Sequence, residues 1–220
     1  MSEEQIIYND NPVPDGNITT KRNGVSIHCL TIIGQIEGHY LLANTSKATK
    51  YEHIIPSLVS VEENEEIHGL LMILNTIGGD VEAGLAIAEM VASMSKPTVS
   101  LVLGGGHSIG VPLAVSAKRS FIVPSATMTL HPVRMNGTVV GAPQTYDYLN
   151  RMQSRILQFT AKHCHTDEQT LHEYMMKTDE IATDIGSIID GIEAVEIGLI
   201  DEIGGLSEAL EQLHKKIKEI

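Results

Sequence analysis

The stretch Leu103-Gly-Gly-Gly-His-Ser-Ile-Gly-Val-Pro-Leu113 decides the fold, because an apolar run ends there on three glycines and restarts as a small-residue helix with a serine at the join. Val99 to Leu103 is short, β-branched and leucine-rich, bounded by Pro97 and Gly104, which predicts a buried strand. Ile109 to Ala117 predicts a helix, with Pro112 in its first turn, where a missing N–H does little harm. A serine at that junction lies near unpaired backbone amides and the positive end of the helix dipole, which both favour developing negative charge. Ser108 is therefore the candidate nucleophile.

The same strand, glycine turn and helix occur once earlier in the chain. Gly69 to Leu74 is a second buried strand that runs into the turn Asn75-Thr-Ile-Gly-Gly79. Asp80 then caps a helix reaching Met94, whose Val81, Leu85, Ala88, Val91 and Ala92 share one face. Val25 to Ile36 has the composition of a strand, and Ala48 to Glu63 carries Tyr51, Ile54, Ile55, Leu58 and Val61 at helical intervals. Downstream, Phe121 to Val123 and Thr127 to Leu130 form a third strand pair ending at His131-Pro132. Such alternation predicts an α/β domain with a mostly parallel sheet, in which sites gather beyond the carboxyl ends of strands. Gly78-Gly79, Ser108 and His131 all fall at such ends.

Residues 1–24 are polar and broken by Pro12, Pro14, Gly16 and Gly24, so they predict an arm with at most a short strand, and residues 25–220 form one domain. Asn136 to Gly141 is Gly-rich and β-prone. Leu149, Met152, Ile156, Phe159 and His163 define a long amphipathic helix that projects or packs on a neighbour. Thr166-Asp-Glu-Gln169 has the form of a capping box opening a helix through Met176. Asp179 to Asp190 reads as an acidic loop, Glu193 to Gly198 as one or two helical turns, and Leu206 to Ile220 as a terminal helix.

Composition narrows the function classes. With 28 Asp+Glu against 15 Lys+Arg the formal charge is −13, which argues against nucleic acid or an anionic membrane as partner, since both bind through basic patches. Cys29 and Cys164 stand alone in their segments and predict two free buried thiols, hence a reducing compartment. No stretch approaches the roughly 20 apolar residues of a membrane span, and Met1-Ser-Glu-Glu-Gln lacks a signal-peptide core. A soluble, cytoplasmic protein is expected.

Gly106-His-Ser-Ile-Gly110 matches the nucleophile-elbow pattern in the strand–turn–helix context that pattern needs. The plainer account is that small residues permit close helix–sheet packing and Ser108 merely caps a helix. The second glycine turn favours chemistry, because acyl transfer needs an amide aimed at the oxyanion besides that of Ile109. Of ten histidines, His131 stands out as the base because it ends a strand of the same sheet, whereas His107, next to Ser108, points elsewhere from the turn. Gly104-Gly105-Gly106 lacks the Lys-Ser/Thr of a phosphate loop, and His163-Cys-His165 diverges on a helix, so neither nucleotide, metal nor other cofactor is expected.

These motifs, together with Gly34-Gln-Ile-Glu, Gly84-Leu-Ala-Ile, Lys96-Pro97, Leu130-His-Pro132 and Glu193-Ala-Val-Glu-Ile-Gly-Leu-Ile-Asp201, resemble the ClpP serine peptidases from about residue 30 to 203, and within them the translocation-enhancing branch. Histidine following soon after serine excludes the ordinary α/β-hydrolase order. The resemblance implies a ClpP/crotonase-like fold and assigns Ser108 and His131 as nucleophile and base, with oxyanion amides from Gly79 and Ile109. It places an aspartate shortly before the Glu193 motif. Asp184 precedes Glu193 by nine positions, two more than an ungapped match, which lands on Gly186; Asp179 and Asp190 are the other acids in reach. Thr76-Ile77 replaces the family's Ser-Pro, and Gly105-Gly106-His107 stands where small residues and alanine are usual.

The expectation is thus a serine endopeptidase acting on peptides or unfolded proteins inside heptameric rings that stack face to face, with the Leu149 to His163 helix as the handle between rings. The branch implies presecretory proteins or signal peptides as substrates; an ATPase chaperone as partner is left open. Two other readings are an acyl-CoA enzyme of the related crotonase fold and a catalytically inactive translocation or assembly factor.

Overall fold

The computed structural model describes residues 16–43, 45–179 and 185–219. It opens with a hairpin, β1 (Ile18–Arg22) and β2 (Val25–Glu37), turned by Asn23 and Gly24, both at positive φ. Asn-Gly suits that two-residue turn because its twist matches the strands it joins. There follow β3 (Ala48–Lys50), α1 (Tyr51–Glu63), β4 (Gly69–Gly79), α2 (Val81–Ser93), β5 (Thr98–Gly106) and α3 (Gly110–Val115). The second half supplies β6 (Ser120–Ile122), β7 (Thr127–Leu130), α4 (Ala142–Lys162), α5 (Glu168–Met175), β8 (Ser187–Asp190), α6 (Gly191–Glu196), β9 (Glu202–Ile203) and α7 (Leu206–Lys218).

The sheet runs β1-β2-β4-β5-β6-β9, with β3 beside β2, β7 beside β5 and β8 beside β7. Among the described residues, only β1 with β2 and β7 with β8 pair antiparallel. Both faces are covered, which is why the central strands read as unbroken apolar runs. Along β4, Leu70, Met72 and Leu74 enter the larger core under α1, α2 and α3, whereas Leu71 enters a second core with Val99, Leu101 and Phe121 beneath α7. Leu213 of α7 is fully buried there, a contribution of roughly 1.5–3 kcal/mol.

Several expectations change. Ala48–Lys50 pairs with β2 as a short strand before α1 begins, because Thr49 Oγ1 exchanges hydrogen bonds with the Ile33 N–H and C=O, each 2.9 Å. The glycine turns are shorter than expected, since β4 continues through Gly79 and β5 through Gly106. The strands β6 and β7 pair not with each other but each with β5, at different heights. Asn136 to Gly141 forms no strand. The N-cap of α5 is Asp167, whose Oδ1 accepts from Thr170 N at 2.8 Å, while Thr166 donates its hydroxyl to the Ile197 carbonyl instead. Ser187–Asp190, expected as loop, is a strand. Cys29 and Cys164 are free but only half-buried.

The long helix α4 is divided in two. From Ala142 to Arg151 every residue but Thr145 and Leu149 is exposed, including Tyr146 at 65%, whereas Met152, Leu157, Phe159 and Thr160 are buried against the body. Among the described residues no helix is long and apolar enough to cross a membrane.

Candidate active site

Ser108 sits two residues beyond the last pair of β4 with β5, Thr76 with Gly106, with φ of +58°. A left-handed conformation costs a side-chain-bearing residue about 1–3 kcal/mol and persists only where neighbours impose it. Here Ser108 N donates to Thr129 O at 2.8 Å, Gly110 N to His107 O at 2.9 Å and Val111 N to Ser108 O at 2.9 Å. The end of β4 closes against the same turn. A Cβ at Gly78 would lie 2.7 Å from Ser108 Cβ and 2.9 Å from His107 O, so the two glycine turns meet only because that side chain is missing.

Gly79, Ser108, Ile109 and His131 line one cavity of about 120 Å³. Four residues singled out in the sequence are thus brought together from β4, the elbow and the end of β7. The rest of the wall is chiefly apolar: Val111 from α3, Ile156 and Leu157 from the buried half of α4, and Leu171 and Met175 from α5, with Thr160 and Arg134 as polar members. Of these wall residues, Ile156 was legible in the sequence as part of an apolar helix stripe and the others were not singled out, because periodicity reports that a face is covered and not what covers it.

The His131 ring is held at Nδ1, 2.7 Å from the Pro132 carbonyl. A carbonyl only accepts, so Nδ1 carries the proton and, in the neutral ring, the lone pair is on Nε2. That is the tautomer a general base needs.

Asp184 lies outside the described residues. Among the described residues, β8 pairs Leu130 with Ser187 and so sets Gly186 against His131. A Cβ at Gly186 would be 2.4 Å from Leu130 O and 2.8 Å from His131 Cβ, and φ there is +135°. The position where an ungapped match puts an acid can hold only glycine. Asp190, at the far end of β8 opposite Thr127, accepts from Glu193 N at 2.9 Å and caps α6. Asp179 is exposed and close in sequence to Lys177, whose carbonyl accepts from Gly186 N at 2.7 Å.

Two further side chains shape the turns. Thr76, 1% exposed, donates to Gly34 O at 2.6 Å and accepts from Gly78 N at 3.0 Å, tying the β4 turn to β2. The His107 ring turns away from the cavity, and its Nδ1 is 2.8 Å from Thr129 Oγ1.

Ser108 on its elbow and the oriented His131 thus stand on one cavity at the carboxyl edge of the sheet, in that chain order. The Clp protease family profile matches residues 25–206, and the chain belongs to that family. The translocation-enhancing protein TepA of Halalkalibacterium halodurans is 58% identical over 193 residues, covering 88% of this chain and 75% of the relative, which sets this chain in the TepA branch. The ATP-dependent Clp protease proteolytic subunit of Lactococcus lactis is 27% identical over 157 residues, 68% of this chain and 74% of the relative. Proteolytic subunit 1 from Chlamydia muridarum is 28% identical over 142 residues, 61% of this chain and 69% of the relative.

Proposed function

We propose that this protein is a serine endopeptidase, and the observation that carries the reading is the strained Ser108 on the same cavity as a His131 whose Nδ1 is tied off. Nε2 of His131 takes the Ser108 proton as Oγ attacks the peptide carbonyl. The amides of Gly79 and Ile109 receive the oxyanion, and each such donor is worth roughly a hundred- to a thousandfold in rate. His131 then gives its proton to the leaving amine, and water, deprotonated by the same ring, releases the acyl group. Asp184 is assigned the role of stabilising the imidazolium. The wall formed by Ile156, Leu157, Leu171 and Met175 suits an apolar substrate side chain.

Members of the family form ring oligomers, and the exposed first half of α4 supports a handle between stacked sevenfold rings. The TepA name of the relative at 58% identity supports presecretory proteins or signal peptides as cytoplasmic substrates. The deciding experiment compares wild type with Ser108→Ala on unfolded polypeptides and with a fluorophosphonate probe. Cleavage and labelling are expected in the wild type and in neither case for the variant. An assembled, folded wild type that neither cleaves nor labels would instead identify an inactive assembly factor.

A further inference from the structure

His107 stands where the family resemblance leads one to expect alanine or another small residue, and the structure gives its ring a definite place. The imidazole lies over Gly105, where an added Cβ would be 2.5 Å from Nε2, so the glycine makes room for it. Its Nδ1 is 2.8 Å from Thr129 Oγ1. Thr129 is therefore gripped twice by the elbow, at its hydroxyl by His107 and at its carbonyl by the Ser108 N–H, 2.8 Å away. Thr129 lies on β7 two residues before His131, which directly follows the strand. Main-chain bonds from His107 N to Thr76 O, 3.1 Å, and from Gly110 N to His107 O, 2.9 Å, anchor the other side of the residue to β4 and α3. Alanine at 107 keeps the main-chain bonds and cannot make the ring bond.

Resting on the peptidase reading above, we propose that His107 is a positioning residue: its imidazole clamps the nucleophile elbow to Thr129 and thereby sets the separation of Ser108 from His131. Burial, and then the charge of nearby His131, hold His107 below the usual histidine range. At neutral pH its ring is thus an uncharged hydrogen-bonding group, suited to a clamp. The ring neither lines the cavity nor touches a reacting atom; it acts through the strand it holds.

The test uses the assembled full chain and two readouts, peptide hydrolysis and the rate of fluorophosphonate labelling at Ser108. His107→Ala and Thr129→Val are each expected to lower kcat and labelling about ten- to a hundredfold while KM moves less than about threefold, in line with the cost of a misplacement of about 1 Å. The double variant should be no slower than the worse single one, because both remove the same bond. Asparagine at 107 can offer a polar atom near the Nδ1 position, and serine at 129 keeps the hydroxyl, so His107→Asn and Thr129→Ser should recover most of the rate. Should His107→Ala fail to fold, Thr129→Val, isosteric in a strand, still reads the contact. Wild-type rates in Thr129→Val, or additive losses in the double variant, would overturn the clamp. A wild type that does not label overturns the peptidase reading and the clamp with it, so the two failures are distinguishable.

Discussion

Gly84→Ala sets two effects of known size against each other. Gly84 lies in the first turns of α2, where replacing glycine by alanine in an open helix gains about 1 kcal/mol. In this protein the new Cβ would lie 2.4 Å from Ile109 Cγ1, 3.1 Å from Cγ2 and 3.3 Å from Cβ. Ile109 must retreat by about 1 Å to reach ordinary carbon contact at roughly 3.5 Å. It is 2% exposed and β-branched, so neither free space nor an easy rotamer absorbs the shift. Overpacking of this kind costs about 1–3 kcal/mol, which offsets or exceeds the helical gain. The larger effect is on rate, because the residue pushed carries a proposed oxyanion amide, and 1 Å of displacement there is worth about a hundredfold. Denaturant unfolding with peptide kinetics on the same preparation measures both. The expected result is a small loss of stability and a kcat lower by one to two decades. A variant more stable than wild type with undiminished kcat would refute the reasoning.

Two other outcomes follow from single side chains. Thr76→Val is isosteric but leaves the Gly34 carbonyl and Gly78 amide without their partner, and should cost about 1–3 kcal/mol in urea unfolding. Thr76→Ser should behave as wild type. Burial lowers the pKa of His28, so below about 6.5 the unfolded chain binds the proton more readily than the folded one. Stability is therefore fully present above that pH and falls as pH drops through it; His28→Gln should flatten this part of the stability–pH curve, and an unchanged slope would contradict the assignment.

Much of the sheet was legible because buried parallel strands announce themselves as apolar runs, and β4 and β5 do so in Gly69 to Leu74 and Val99 to Leu103. The extension of both strands through their glycines was not. Backbone pairing such as Thr76 with Gly106 depends on the partner strand's position and leaves no mark in composition. Ser187–Asp190 hid for the same reason: four residues pairing with β7 carry a pattern too short to separate from a loop. Thr166 and Asp167 show a different failure, since either could cap α5 and only the distant Ile197 carbonyl decides between them. At the site, Ser108, Gly79 and His131 were legible because special turns need glycine and strand ends are few. The partner of His107 was not, because Thr129 lies 22 positions away.

The bond from Gly186 N to Lys177 O has a consequence for how this segment tolerates change. It ties together the two ends of the stretch that contains Asp184, just where β8 begins, and so uncouples the length of that stretch from the pairing beyond it. Ring-closure entropy grows only with the logarithm of length, so two extra residues in a loop of this size cost about 0.2 kcal/mol. On ring closure alone, a change of two residues between Lys177 and Gly186 is thus cheap, provided the two keep their bond. The bond between Lys177 and Gly186 is thus a fixed point for β8 and for His131 beside it, whatever the number of residues between the two.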